Sequence, residues 1–314
     1  MKKNKIRAGY LFLLMFSPVA IAMQPMDDQS LAQTTGQDGI NIGVNVSKAQ
    51  INTLAVIDRD GLGSTINDSN KASLVVSGTN TTAADQNFSI SFLGANNTSS
   101  TLNMVMDTDG GSGKPFANIG LTFGSNITGI KISPFALYVA SASSTSSPSA
   151  MNSIFTGASQ KANVVKLLEV KNGLDINFAA SKPKVNLQLG NMPQSRLIIL
   201  SGAIQSICGT GGGCPINFVS DNGNVGASFN FQLVANDKTN GFALDGFYAG
   251  VEPTGLVFGN TGESSKFDLG INQLMMGTSS VVGANFNGLQ NGSMGNIGAI
   301  GTSVTDLKMK ISGL

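Results

Sequence analysis

Apolar residues that alternate with polar or small ones recur from one end of this chain to the other, and that spacing constrains the fold most. Ile40, Ile42, Val44 and Val46 form one such run, Phe88, Ile90 and Phe92 another, and Leu102, Met104 and Met106 a third. Ile119, Leu121 and Phe123 follow, then Leu174, Ile176 and Phe178, then Val185, Leu187 and Leu189. The pattern returns at Phe229, Phe231 and Leu233, at Phe267, Leu269 and Ile271, and in the closing Leu307, Met309 and Ile311. Successive side chains of a strand point to opposite faces, so each run predicts a strand with one buried face. Between the runs, Asp109-Gly110, Asn222-Gly223, Asn240-Gly241 and Asn291-Gly292 provide turn chemistry. The predicted class is all-β: an extended antiparallel or mixed sheet, arranged as a curled sheet, a sandwich or an irregular solenoid.

Only two segments read as helical, Asp27 to Thr35 and Ser159 to Val170, the latter with Val164, Leu167 and Leu168 on one face. A Ser-rich stretch, SASSTSSPSA, precedes the second. Residues 141–158 therefore read as either a break between two β regions or a surface excursion from one sheet.

The first twenty-two residues have the form of an export signal. Lys2, Lys3, Lys5 and Arg7 precede an apolar run from Ala8 to Ala22, which ends on the small-x-small triplet Ala20-Ile21-Ala22. The run is shorter than the roughly 20 residues a membrane span needs. Cleavage would leave residues 23–314 as the mature β-rich region, and no later stretch reads as an integral membrane helix. The segment holds four of the nineteen basic residues and none of the eighteen acidic ones, so the remainder is mildly acidic. That balance argues against a nucleic-acid partner. Charged residues make up 12% of the chain, about half the usual share, and weak charge repulsion makes self-association physically easy.

Histidine is absent, which excludes His-based triads and His metal sites. Tryptophan is absent too and there are three tyrosines, too few for the aromatic girdles of an outer-membrane barrel. Cys208 and Cys214 are the only cysteines; they flank Gly209-Thr210-Gly211-Gly212-Gly213. In an oxidising compartment they read as a disulfide across a hairpin tip. No cofactor is expected.

The mature part would open on PMDDQSLAQTTGQDGINIG. Asp27 or Asp28 can cap a short N-terminal helix, Gly36 can end it, and Asp38-Gly39 can turn the chain into the strand at Ile40. The segment reads as a helical plug over one end of a sheet, or as a stretch that an assembly or processing partner recognises. This run, directly after a signal peptide, resembles the opening of secreted Gram-negative proteins of the pilus assembly protein FilA type. Leu31 stands before Gly36-Gln37-Asp38-Gly39 as in those proteins, and Asp28, Leu31, Gly36, Gln37 and Gly39 form the candidate recognition segment. IDRDG at Ile57 to Gly61, MDTDG at Met106 to Gly110 and the closing strand at Thr305 to Leu314 fit the same style. The resemblance implies a role in building or decorating a surface filament, with other pilus or surface proteins, or further copies of the chain, as partners. It carries over no catalytic residue. The sequence departs from better-understood pilins: it has no prepilin site before a Phe-rich helix and no near-terminal Tyr.

Two runs, Asp58-Arg59-Asp60-Gly61 and Asp107-Thr108-Asp109-Gly110, set carboxylates two apart beside a glycine, a spacing that hard cations use. Neither follows the EF-hand order, and both read as hairpin tips. A carboxylate-based polysaccharide hydrolase is the rival class; it needs no histidine, only two carboxylates about 5 to 10 Å apart. Asp58, Asp60, Asp107, Asp109, Asp175, Asp245 and Glu252 are its candidates. The expected function is a non-enzymatic exported surface protein that joins or assists a filament, with adhesion as a further role. Strand pairing would do the work, and Leu307 to Ile311 is the candidate edge, with Lys308 and Lys310 on its other face.

Overall fold

The computed structural model describes residues 39–58, 72–79, 87–94, 100–110, 113–141, 164–191, 196–209, 211–219, 225–276, 285–286, 289–290 and 293–312. The chain divides into Met1–Ile40, of which residues 39 and 40 are described, and the large unit Asn41–Leu314. The N-terminal helix expected at Asp27 to Thr35 lies outside the described residues.

The large unit is all-β. Its strands in chain order begin with β1 (Ile40–Val46), β2 (Lys48–Ile51), β3 (Leu54–Asp58), β4 (Ala72–Ser77), β5 (Phe88–Leu93), β6 (Ser100–Asp109), β7 (Phe116–Phe123) and β8 (Gly129–Ile132). Then come β9 (Phe135–Ser141), β10 (Val164–Val170), β11 (Leu174–Phe178), β12 (Lys184–Gly190), β13 (Ile198–Ser201), β14 (Ala203–Ile207), β15 (Cys214–Val219) and β16 (Val225–Ala235). The last are β17 (Phe242–Ala243), β18 (Phe247–Glu252), β19 (Gly255–Asn260), β20 (Phe267–Met276), β21 (Asn285–Phe286), β22 (Leu289–Gln290), β23 (Ser293–Thr302) and β24 (Lys308–Ile311). Among the described residues there is no helix.

Strand order reveals a simple plan. One sheet has eight strands in the order β1-β6-β7-β12-β13-β18-β19-β24. The other contains β2-β5-β8-β11-β14, with β17 on β14, and continues through β16-β15-β10-β9-β4-β3, with β20 and β23 beyond β16. Both sheets are read at once if the chain makes eight long passes, each crossing up to three rows of strands: β1-β2-β3, then β4-β5-β6, β7-β8-β9, β10-β11-β12, β13-β14-β15, β16-β17-β18, β19-β20 and β23-β24. Every one of these pairings joins neighbouring passes, and among the described residues neither large sheet closes on itself. In the last two passes the isolated Glu263–Thr305 bridge takes the place of the middle row. The result is a plain up-and-down meander whose long strands are bent, as expected for antiparallel strands joined end to end.

The bends need special backbone. Gly173, between β10 and β11, has φ +78°, and a Cβ there would run into the Ile132 carbonyl of the preceding pass. Gly202, between β13 and β14, has φ +79°, and a Cβ would meet the Lys182 carbonyl. Only glycine combines a left-handed φ with so close an approach of two backbones.

Phenylalanines from all three rows converge. Phe123 of β7 lies 4.7 Å from Phe178 of β11 and 6.1 Å from Phe92 of β5, ring centre to ring centre. Phe242 of β17 lies 5.7 Å from Phe247 of β18 and 5.6 Å from Phe267 of β20, so one middle-row ring touches both outer rows. Ala235, Phe242 and Phe247 are buried there with Leu200, Ile204, Phe258, Phe267 and Val304 packed against them.

The expectation that each alternating run buries its apolar face fails at the first and last of them, where Ile40, Ile42, Val44, Leu307, Met309 and Ile311 are exposed. The row containing β3, β4, β9, β10 and β15 also buries its less apolar side. There the buried side carries Ser73, Val75, Ser77, Ala136, Tyr138, Ala140 and Asn217. Tyr138 donates to the Gly78 carbonyl at 2.7 Å, Ser77 to the Asn52 carbonyl at 2.7 Å, and Lys166 to the Thr79 carbonyl at 3.1 Å, so backbone folds over this side and satisfies these three groups, while the buried Ser73 hydroxyl has no hydrogen-bond partner among the described residues. Small residues suit that close cover. The opposite side is the apolar one: register aligns Val56, Leu74, Val139 and Val165, and beside them Leu54, Val76, Leu137, Leu168 and Phe218. Val56, Leu54, Val165, Phe218 and Leu74 are each exposed.

Two further expectations are corrected. The helix expected over Ser159 to Val170 is replaced at 164–170 by β10, paired with β9 on one side and β15 on the other. Two ladders satisfy its backbone, and that outweighs the helix propensity of its leucines. A bulge at Leu167 shifts the alternation, which is why the segment looked helical. The disulfide does not cross a hairpin tip, because β14 and β15 do not pair with each other. Both lie along β16, with Ile207 opposite Leu233 and Cys214 opposite Phe231, so the loop is an outward bulge in one pass. The Ser-rich segment connects β9 and β10, which pair with each other inside Asn41–Leu314.

Candidate strand-edge interface

Eight passes leave two open ends. The first pass, β1 to β3, and the last, β23 and β24, each pair on one side only among the described residues. The expected edge at Leu307 to Ile311 is realised: β24 pairs with β19 alone, with Met309 opposite Phe258 and Ile311 opposite Leu256. All four of its residues are exposed. Its apolar side, Met309 and Ile311, continues inward along the sheet through exposed Leu256 and Val251. Lys310 and Lys308 take the other side, and the Lys308 ammonium contacts the Glu252 carboxylate at 2.7 Å, which raises its pKa. Lysines on an edge strand limit indiscriminate pairing.

The other edges have the same character. On β1, Ile42 and Val44 are exposed; on β3, Leu54 and Val56; on β23, Met294, Ile297 and Ile300, the last 86% exposed. Buried apolar area contributes about 25 cal/mol per Å², so edges of this composition gain from a covering chain. Sequence reading missed β3 and β23 as edges. The alternation in Leu54-Ala55-Val56-Ile57 was visible, whereas Met294 to Thr302 is interrupted by Gly295, Gly298 and Gly301.

The remaining expected residues are distributed. Cys208 and Cys214 are disulfide-bonded and buried, with Cα atoms 5.3 Å apart. Gly39 has φ +88°, a left-handed turn directly before β1. Asp28, Leu31, Gly36 and Gln37 lie outside the described residues, as do Asp60 and Gly61. Asp58 ends β3 and Asp107 to Asp109 end β6, where the hairpin to β7 turns through a Gly113 N–H to Gly110 carbonyl bond of 2.9 Å. The positive φ falls at Gly113, three residues after the expected Gly110. Asp175 sits on β11, Asp245 in the turn before β18, and Glu252 at the end of β18. Among the described residues no group of three or more acidic, Cys or His side chains could hold a metal ion. An open cavity of about 280 Å³ at the β6–β7–β12 end is lined by Asp107, Asp109, Asn118, Asn186 and Gln188. Gln188 there donates to Asn118 at 3.2 Å.

Among the described residues no helix is long and apolar enough to cross a membrane, which leaves crossing by strands unaddressed. The model of a family of unknown function (DUF6160) matches residues 1–110, a stretch that ends one residue after the second pass. No curated protein and no solved structure matches the chain.

Proposed function

We propose that this chain is an exported, non-enzymatic surface protein that joins, or assists the assembly of, a filament. Its chemistry is strand pairing with apolar burial at the open edges, and adhesion is a further role of the assembled surface. The observation that carries this reading is β24: a terminal strand with all four residues exposed and an apolar side continuous with Leu256 and Val251. A partner strand there satisfies a row of amides and carbonyls at once and covers that side. The signal-like residues 1–22 and the Cys208–Cys214 disulfide fit an oxidising compartment outside the cytoplasm.

The test is deletion of the gene, with electron microscopy and adhesion assays on the same cells. Loss of filaments or of adhesion is expected. Unchanged filaments and adhesion, together with loss of a hydrolytic activity, would overturn the proposal in favour of a carboxylate hydrolase. Intact-mass measurement of the native protein is expected to place its N-terminus at Met23; a mass that retains residues 1–22 would remove the export premise.

A further inference from the structure

The two open ends of the meander are complementary to each other. In the row β3-β4-β9-β10-β15-β16-β20-β23 every neighbouring pair is antiparallel. Eight strands with seven reversals make the first and the last run in opposite directions. If a second copy is set beside the first by continuing the sheet, the β23 of one lies antiparallel to the β3 of the next. The other long row also counts eight strands, from β1 to β24, so β24 meets β1 in the same step. An odd number of passes would have forced parallel pairing at the joint.

The side chains agree with the backbone. Exposed Met309 and Ile311 would meet exposed Ile42 and Val44 in one row, and exposed Ile297 would meet Leu54 and Val56 in the other. Ile297 stands opposite Ile271, which stands opposite Phe231, so it lies on the apolar side of its row, as Leu54 and Val56 do. Low charge leaves little repulsion across the joint: 12% of residues are charged.

We infer that the partner of the β23–β24 end is the β1–β3 end of a second copy of this chain, and that copies add head to tail. This rests on the strand-edge reading above and names its partner. A head-to-tail contact is heterologous, and because neighbouring strands twist, each copy is rotated on the last and the series stays open as a helical filament. Eight strands at about 4.8 Å each set an axial repeat of about 38 Å per copy.

Two exposed-site variants of the exported protein test this. Val56→Lys blocks the first end and Ile297→Lys the last; both side chains are exposed and lie on the side that meets at the joint, so folding is expected to be retained and is checked by circular dichroism. If either fails to fold, Leu54→Lys and Ala299→Lys replace them. Light scattering after size exclusion is expected to find concentration-dependent chains of wild-type protein and monomers of each variant alone. An equimolar mixture of the variants is expected to give dimers and nothing longer, because each still carries one competent end. A wild type that is monomeric at every concentration overturns the inference. So does either variant assembling alone, or a mixture that stays monomeric while wild type assembles. Filaments lost on gene deletion, with wild type monomeric in solution, would keep the edge reading and reject the second copy as the partner.

Discussion

The Asp268 carboxylate on β20 accepts the backbone N–H of Gly301 on β23 at 2.9 Å, fastening the last pass to the one before it. Asn236 donates to the same oxygen at 3.1 Å. The Gly301 bond, first, and then Asn236 hold the Asp268 pKa below its ordinary value. Asp237 behaves alike, its carboxylate taking the Asn240 and Thr239 amides. Both folded pKa values are depressed, so their contribution is present above the unfolded value of about 3.9 and is lost as pH falls below it. Acid titration followed by hydrogen exchange is expected to loosen β23 below about pH 4, and Asp268→Asn is expected to flatten that response. An unchanged acid profile in Asp268→Asn would reject this role.

Tyr138 is 2% exposed and its hydroxyl donates to the buried Gly78 carbonyl at 2.7 Å. Burial first, and then the Glu169 carboxylate, push its pKa from 10.0 up to about 12. The folded value lies above the unfolded one. Stabilisation is therefore present below about pH 10 and lost as pH rises from there through about 12. Spectroscopic titration is expected to show one phenolate appearing near the upper limit or together with alkaline unfolding. Tyr138→Phe removes that step and leaves a buried carbonyl without its donor, at a cost of about 1–3 kcal/mol in urea unfolding.

The Cys208–Cys214 bond closes a short bulge, so its removal is expected to be mild. Cys208→Ser should cost about 2 kcal/mol by the chain-entropy relation and leave the far-ultraviolet β signal intact. Alkylation of the native protein without reductant should label neither cysteine. A variant that fails to fold would show that the bulge anchors β14 and β15 on β16 more firmly than a local clip can.

Gly173→Ala and Gly262→Ala separate two penalties. Gly262 has φ +77° but open space at its Cβ, whereas at Gly173, with φ +78°, the Ile132 carbonyl blocks it. The left-handed backbone alone costs about 1–2 kcal/mol. Gly262→Ala should show that much, and Gly173→Ala clearly more, in parallel denaturation curves. Equal losses would mean that the bend yields to a methyl group.

Much of the strand content was legible because apolar residues alternate with polar or small ones along a strand, as at Phe229-Phe231-Leu233 on β16. What escaped has a physical origin in each case. Ser159 to Val170 sets Val164, Leu167 and Leu168 at helical spacing, and only the β9 and β15 ladders decide for a strand. Ser73, Ser77 and Asn217 face the buried side of their row, where the Asn52, Gly78 and Thr79 carbonyls accept from Ser77, Tyr138 and Lys166; composition suggests the reverse. The edge at β24 could be named from Lys308 and Lys310 alternating with Met309 and Ile311. Its counterparts β3 and β23 depend on how many times the chain turns back, and no local pattern encodes that count.

Strand pairing confined to neighbouring passes has a kinetic consequence. Each pass is stabilised only by the one before and the one after, so cooperativity is nearest-neighbour, as in repeat proteins. Protection from amide exchange should then form a gradient, highest around β11 to β16 and lowest at β1 and β24, where one neighbour is missing. Docking a copy at either end would erase the gradient there, so that growth of an assembly and completion of folding at its tip become the same event.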